Sequence, residues 1–524
     1  MSCSKIFSGD LPELIYEIIK NFQNDYSTLH SCVLVNRLWC CLTIPLLWEN
    51  PFSISTGNYN FIEIYLYNLN DYLKTQLNEY QFIDYLLPSN TLFNYPSFIR
   101  YLSMYKITPS IDKWLKVNDI ISKFTNNNNS KSVFEFKVLI EMSLIKLFIE
   151  NETNLHIFEI KIDTYCNKYY NNILESILQN QNFINNIKNL KASILSSNII
   201  IKDKISQIIN SHQNFKRILL GYKNFSLYQS LLLSKASNCS NTLNTIIFYS
   251  INFKDISNLV KIFEKLNVLE SVHIIYCSFL NNFIQQIINL TKPFKLKSLL
   301  IYENLQIDSL QSLLKKSGNY LENFRYEYAF EVSRSFKQQL LEIIIKYCRN
   351  IKFLDLHKIE THTTSLIFSL IENIKQNLNY LSISIGNCQD SNIKLILQNL
   401  GQTLPSKLEY LSLFLYIEAN DFEIFLKNSQ DTFFKKLLIN NMMREYNDGI
   451  DILPYIKEYI MKKKRVKYLA IKNNFILSYN RYDRKDVDLS NLKDEVKEFK
   501  LHNIKVLNYV NLSTDICKFV SEND

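Results

Sequence analysis

A recurring hexad constrains this chain more than any other feature. The pattern apolar-x-x-apolar-x-apolar begins at Leu155, Ile187, Phe215, Leu243, Leu269, Leu296, Leu321, Ile351, Leu378, Leu408, Phe434, Val466 and Val496. Successive starts lie 25 to 32 residues apart. Clear copies are LKSLLI from Leu296, IKFLDL from Ile351, LNYLSI from Leu378 and LEYLSL from Leu408. Alternation of apolar and other residues within a copy is a strand signal, because successive side chains of a strand point to opposite faces. Between copies the spacing turns helical. Leu310, Leu313 and Leu314 share one helix face, as do Leu340, Leu341, Ile344 and Ile345, and as do Leu366, Ile367, Leu370, Ile371 and Ile374. Asp308 is placed to cap the first of these helices and Gly318 to end it.

A strand followed by a helix about every 28 residues is a unit that cannot bury its own apolar face, so stacking on its neighbours must supply the core. Such an array also accommodates 524 residues, too many for one compact core. The period and strand pattern resemble leucine-rich repeats. That resemblance implies an α/β solenoid, a curved parallel sheet with helices outside, over residues 151–510 and a tail at 511–524. The repeats are degenerate. The family's Asn or Cys eight positions after the first apolar residue is matched only by Cys277, Asn304 and Asn474. An all-helical array is the competing architecture.

Residues 10–52 have a different pattern. Asp10 can cap a helix entered through Pro12, with Leu14, Ile15, Ile18 and Ile19 as its stripe. Ser27 or Thr28 can cap a second helix carrying Leu29, Cys32, Val33 and Val35. A third would carry Leu38, Trp39 and Leu42, with Pro45 stopping it. Three short helices bury little surface and should lean on a partner or on the next domain.

The ordered set Leu11-Pro12, Val35-Asn36-Arg37-Leu38-Trp39 and Leu46-Leu47-Trp48 resembles an F-box. It departs from the family in placing Glu13 directly after the proline, where many members carry the acid one position later. The resemblance covers residues 1–52 and implies docking onto a Skp-type adaptor and the cullin core of an SCF ubiquitin ligase. Leu11, Pro12, Ile15, Val35 and Trp39 would be the adaptor contacts. Residues 53–150 would connect and cap, with the strand-like run near Ile99 and a helix from Val138 to Ile149.

In a solenoid of this kind the strand residues between the buried ones face the concave side. These are His273, Tyr302, Arg325, Glu327, Asp355, His357, Phe414 and Lys472, joined by Tyr380, Tyr410 and Tyr468. Aromatic side chains with both signs of charge suit protein recognition. Together with this face, the resemblance to an F-box implies a non-catalytic substrate receptor whose repeats hold a target protein. The alternative is a repeat scaffold outside any ligase, whose F-box-like start only caps the array.

No nucleophile elbow, HExxH helix or phosphate loop is present, and His273, Asp355 and His357 do not make a catalytic set in sequence. None of the ten cysteines forms a Cys-x-x-Cys pair, so no metal or cofactor is expected. The net charge of +9 comes from 59 basic and 50 acidic residues along the whole chain. That excess is diffuse and does not by itself argue for nucleic acid, which is not expected as a partner. The run Lys462–Arg465 reads as a solvated helix end, with a nuclear signal or a nucleic-acid contact as the other reading. Without a signal peptide or an apolar run of membrane-spanning length, the free thiols point to cytosol or nucleus and away from a membrane. The Asn126–Asn129 tract reads as a loop.

Overall fold

The computed structural model describes residues 11–23, 25–53, 59–80, 91–121, 130–151, 153–162, 167–194, 198–211, 214–224, 232–233, 239–303, 305–327, 333–385, 393–406, 408–443, 451–475, 487–516 and 519–520. Asp10, Asn304 and the Asn126–Asn129 tract lie outside them. The chain divides into two compact units, residues 1–246 with 265–268, and residues 247–264 with 269–524. This division falls inside the repeat stretch and leaves residues 1–52 in the same unit as 53–246.

The first unit starts with helices α1 (Pro12–Lys20), α2 (Tyr26–Val33) and α3 (Arg37–Leu47). Asp25 caps α2, its carboxylate accepting from the Thr28 amide at 3.1 Å and the Thr28 hydroxyl at 2.8 Å. Thr28, read as a cap from the sequence, is thus the residue being capped. Asn36 caps α3 by accepting from the Trp39 amide at 2.9 Å. Pro45 does not stop α3, which runs on to Leu47. A proline so near the end removes only one amide from a turn that is about to fray.

After further helices at Phe61–Tyr67 and Asp71–Asn78, this unit has four parallel strands: β1 (Tyr101–Ser103), β2 (Ile157–Ile162), β3 (Asn189–Ile194) and β4 (Arg217–Asn224). Each pairs with its predecessor in sequence order. β1 is the strand expected near Ile99, and the helix Ser130–Glu150 precedes β2. β2 and β3 alternate buried and half-buried residues, as the hexads require.

In the second unit, β6 (Ser271–Ile275), β7 (Leu296–Ile301), β8 (Asn323–Tyr326), β9 (Phe353–Ile359), β10 (Tyr380–Ile385), β11 (Tyr410–Leu415), β12 (Phe434–Met443) and β13 (Val466–Phe475) form a parallel ladder. Most of β5 (Thr245–Asn252) also belongs here, beside β6. Helices between the strands bury the expected stripes, among them Leu310, Leu313 and Leu314, then Leu340, Leu341 and Ile344, then Ile367, Leu370, Ile371 and Ile374. Parallel strands joined through helices exclude the all-helical alternative. Gly318 comes directly after the helix Ile307–Ser317 in a right-handed conformation. Its missing Cβ serves close approach, since a Cβ there would lie 2.6 Å from the Tyr347 carbonyl oxygen. Asp308 stands in the first turn, and the cap position is Gln306.

The last hexad, from Val496, is not a strand. It lies in the helix Lys493–Leu501. Val496 and Phe499 are three apart, a spacing that suits a helix equally, and Asp494 and Glu495 occupy its first turn, where carboxylates complement the helix dipole. Two short strands instead pair with β13: β14 (Val487–Asp488), antiparallel, and β15 (Lys505–Val506), parallel.

Candidate protein-recognition surfaces

The N-terminal three-helix unit is closed by its own apolar residues. Ile15, Ile19, Leu29, Cys32, Trp39 and Leu46 form its core, with Tyr16, Phe22, Leu38, Leu42 and Leu47 packed around them. Ile15 and Trp39, expected as adaptor contacts, are therefore core residues. The reason is helical geometry: Ile15 and Ile19 lie one turn apart and take the inner face of α1. Leu14 and Ile18, also one turn apart, take the outer face and are 49% and 41% exposed. At the α2–α3 turn Leu34 is 75% and Val35 50% exposed. Leu11 and Pro12 are half-buried at the entry to α1. The exposed large apolar side chains among the described residues of this unit are thus Leu14, Ile18, Leu34 and Val35, of which only Val35 was expected as an adaptor contact.

Trp48 ties the three helices to Tyr65 and Tyr95. Its ring meets Tyr65 at 5.3 Å and Tyr95 at 4.3 Å between centroids. Glu49 adds polar ties, its carbonyl accepting from the Arg100 and Tyr101 amides at 3.0 and 3.2 Å. Gln23 Nε2 donates to the Glu49 carboxylate at 2.6 Å, and burial holds the Glu49 carboxyl above its usual range.

The second surface is one face of the β6–β13 ladder. Register aligns His273, Ser298, Asn323, Phe353, Tyr380, Tyr410, Lys436 and Tyr468 in one row across it. The row begins polar and buried: His273 Nδ1 and Ser298 Oγ are hydrogen-bonded at 2.7 Å, and Asn323 Nδ2 donates to Ser298 Oγ at 2.9 Å. It continues as an aromatic ladder, with Phe353 stacked on Tyr380 at 5.8 Å and Tyr380 on Tyr410 at 5.5 Å. His273 and Tyr410, expected to face a target, are buried.

The chain's own C-terminal segment covers the aromatic part. Leu507 continues β15 by donating its amide to the Leu469 carbonyl at 3.0 Å. Leu512 completes a core with Tyr410, Leu438 and Ala470, against which Tyr380, Tyr468, Leu507 and Tyr509 pack. Phe519 lies 5.8 Å from Phe353 and 4.9 Å from Tyr380 between ring centroids. Burial under this segment pushes the Tyr410 phenol up to about 12. Within the stretch read as a tail, Leu512, Ile516 and Val520 are buried and Phe519 lies on Phe353 and Tyr380, so these residues form a layer over this face.

A charged group lies on the same face next to that layer. Arg325 Nη2 pairs with Glu327 at 2.8 Å and Nη1 with Asp355 at 3.5 Å, while His357 Nε2 meets the other Asp355 oxygen at 3.1 Å. The Arg325 guanidinium sits 5.6 Å from the Tyr276 ring centre, and Tyr276 meets Tyr302 at 6.1 Å. Burial opposes the Arg325 charge, but Asp355, Tyr276 and Glu327 outweigh it and hold its proton more tightly than usual. Asp355 is buried, whereas Glu327 and Tyr302 reach solvent. Phe414 and Lys472 share a further row with Ser384, Asn440 and Asp488. Tyr276 carried no sequence signal, because it stands just past its strand in a left-handed conformation, φ 53°.

Cys277 is buried just past β6. Its thiol donates to the Phe248 carbonyl at 3.4 Å, and burial pushes it up to about 12. Asn441, not singled out from the sequence, does similar work at the end of β12: Oδ1 accepts from the Ile417 amide at 2.9 Å and Nδ2 donates to its carbonyl at 3.4 Å. Asn474 donates to Asn440 Oδ1 at 2.5 Å.

In the run Lys462–Arg465 the three lysines are exposed and Arg465 is buried. Arg465 is buried and donates to the carbonyls of Thr432, Leu426 and Ser429. Lys462 pairs with Glu458 at 2.5 Å, and Lys463 lies 5.5 Å from the Tyr459 ring centre. A cavity of about 680 Å³ is lined by Lys292, Lys315, Lys316, Lys346 and Arg349. Lys292 and Lys316 donate there to the carbonyls of Glu264 and Leu290, satisfying helix and loop ends.

Among the described residues no three His, Cys, Asp or Glu side chains are grouped to hold a metal, and no helix is long and apolar enough to cross a membrane. No protein-family model matches the chain, and a search of curated proteins returns no match.

Proposed function

We propose that this chain is a recognition subunit of an SCF-type ubiquitin ligase. The N-terminal helices dock onto a Skp-type adaptor joined to the cullin core, and the strand face of the second unit holds a target protein. The observation that carries the adaptor reading is the three-helix unit itself. It fills its own core and still leaves four large apolar side chains, Leu14, Ile18, Leu34 and Val35, in solvent. Isolated exposed aliphatics are ordinary, and four within 22 residues of a closed helical unit support the reading of a docking element. The mixed α/β array of parallel strands later in the chain supplies a broad scaffold for a second partner. No residue is assigned a chemical step, and ubiquitin transfer would belong to the rest of the assembly.

The test is a pull-down of purified full-length protein with the Skp-type adaptor, comparing wild type with the double substitution Leu34→Glu, Val35→Glu. Both residues are exposed, so the fold should survive with a change within about 0.5 kcal/mol each. Binding should fall at least a hundredfold, because each buried aliphatic contributes about 1.5–3 kcal/mol. Ile15→Ala tests the division of labour. It removes core, should cost about 2–5 kcal/mol, and should lose binding only as the helices unfold. A well-folded wild type that captures no adaptor would sink the ligase reading and favour the scaffold, in which Trp48 merely closes the helices onto Tyr65 and Tyr95.

A further inference from the structure

We infer that the basic cavity of the second unit is a binding site for a compact anion carrying two adjacent phosphoryl groups. Its walls come from three consecutive helix-to-strand connections, within residues 291–293 ahead of β7, 314–320 ahead of β8 and 346–349 ahead of β9. The cavity measures about 680 Å³, and its lining holds five basic side chains and no acidic one.

The five cations divide by what they touch. Lys292 and Lys316 are half-buried and serve the backbone. Lys292 Nζ donates to the Glu264 carbonyl, and Lys316 Nζ to the carbonyls of Ile288 and Leu290. They offset the negative ends of the helices that open onto the cavity. Lys315, Lys346 and Arg349 are exposed. Among the described residues Lys315 and Arg349 have no ion pair or hydrogen bond from the side chain, and Lys346 meets the Tyr347 ring centre at 5.2 Å. Two acids on adjoining stretches are engaged elsewhere. Glu264 accepts from the Thr291 amide at 2.7 Å and hydroxyl at 2.8 Å, and Glu322 pairs with Lys352 at 3.0 Å.

Basic residues at helix ends are ordinary where they complement the dipole. That need would recur in every repeat, and it does not. The helices Thr364–Ile374 and Ile393–Thr403 have no basic residue in their last turns, and Lys427 near the end of Ala419–Asn428 pairs with Glu423 at 2.9 Å. The unpaired cations are gathered at one concavity, where like charges repel and the walls focus their field on whatever anion enters. A phosphoryl group carries about 1.5 to 2 negative charges near neutral pH, so two of them match the three free cations. The Arg349 fork suits bidentate contact with phosphoryl oxygens, and the lysines act as point charges. The Tyr320 and Tyr347 hydroxyls and the Asn319 amide line the same cavity as uncharged donors. A nucleic-acid backbone would call for a basic stripe, and these residues lie around one hollow.

The experiment is isothermal titration of the full chain with sodium pyrophosphate at low salt and without divalent cations. Pyrophosphate should saturate one site per chain and bind about tenfold or more tightly than orthophosphate, because each added charge-assisted contact counts for about that factor. The triple substitution Lys315→Gln, Lys346→Gln, Arg349→Gln changes exposed residues only, so its thermal melt should match wild type, and it should weaken binding about a hundredfold. Lys462→Gln with Lys463→Gln and Lys464→Gln removes the same charge elsewhere and should bind as wild type does. Equal loss in both triple variants would overturn the inference, because net charge alone would then explain binding. Equal affinity for pyrophosphate and orthophosphate, or no binding of pyrophosphate by folded wild type, would also overturn it. Duplex DNA that binds where pyrophosphate does not would replace it with a nucleic-acid contact. The adaptor enters none of these readouts, so this inference and the ligase reading fail separately.

Discussion

Gly401→Ala sets two effects of opposite sign against each other. Gly401 lies inside the helix Ile393–Thr403. In an exposed helix alanine would be favoured over glycine by about 0.8–1 kcal/mol. Here the new Cβ would lie 2.8 Å from the Phe425 carbonyl oxygen and 2.8 Å from Asn428 Cβ, both in the neighbouring helix Ala419–Asn428. The oxygen belongs to the backbone and already accepts from the Ser429 amide at 3.0 Å. It cannot move without shifting Leu426 and Ser429, whose carbonyls hold Arg465. Forcing a carbon into a packed contact costs about 1–3 kcal/mol, and a backbone neighbour places the cost at the upper end. The net expectation is a loss of about 1–2 kcal/mol. Urea unfolding monitored by far-UV circular dichroism measures it. Trp39, Trp48 and Trp114 all lie in the first unit, so tryptophan emission is the wrong probe. A midpoint that stays put or rises would refute the argument that close helix approach, not helix propensity, decides this position.

Three further outcomes are expected. Arg465→Lys should lower stability by about 2–4 kcal/mol, because an ammonium cannot reach the three carbonyls that the guanidinium fork serves. Lys463→Ala should be nearly neutral, and thermal melts that rank the two the other way would contradict the buried role of Arg465. Glu303 carries a pH dependence: burial raises its carboxyl above the usual value, outweighing the Leu280 and Phe279 amides that favour the charge. Folded protein therefore binds this proton more tightly than unfolded chain does. Its contribution is fully present below the ordinary value near 4.5 and is lost as pH rises through the raised folded value. The melting temperature of wild type relative to Glu303→Gln should accordingly fall between pH 4.5 and pH 7, and a difference that grows over that range would show the sign to be wrong.

The sequence by itself determined the period, the strand positions and the inward faces of the helices, because burial of alternate or every third-to-fourth side chain is local and leaves its mark in the residue pattern. From Leu155 to Val466 every hexad becomes a strand, and the three N-terminal helices fall where their apolar residues put them. The pattern failed where one spacing serves two structures. Val496 and Phe499 fit a strand hexad and a helix alike, and only the pairing of Lys505 and Val506 with β13 decided between them. Which apolar residues stay in solvent was also beyond the sequence. Ile15 and Leu14 are adjacent and chemically alike, and the packing of α1 against α3 alone buries the one and exposes the other. The largest change concerns the strand face. His273, Tyr380 and Tyr410 occupy the predicted face, but whether a face meets solvent depends on segments distant in the chain. That Phe519 rests on Phe353 and Tyr380, more than 130 residues earlier, is information that only the folded chain contains.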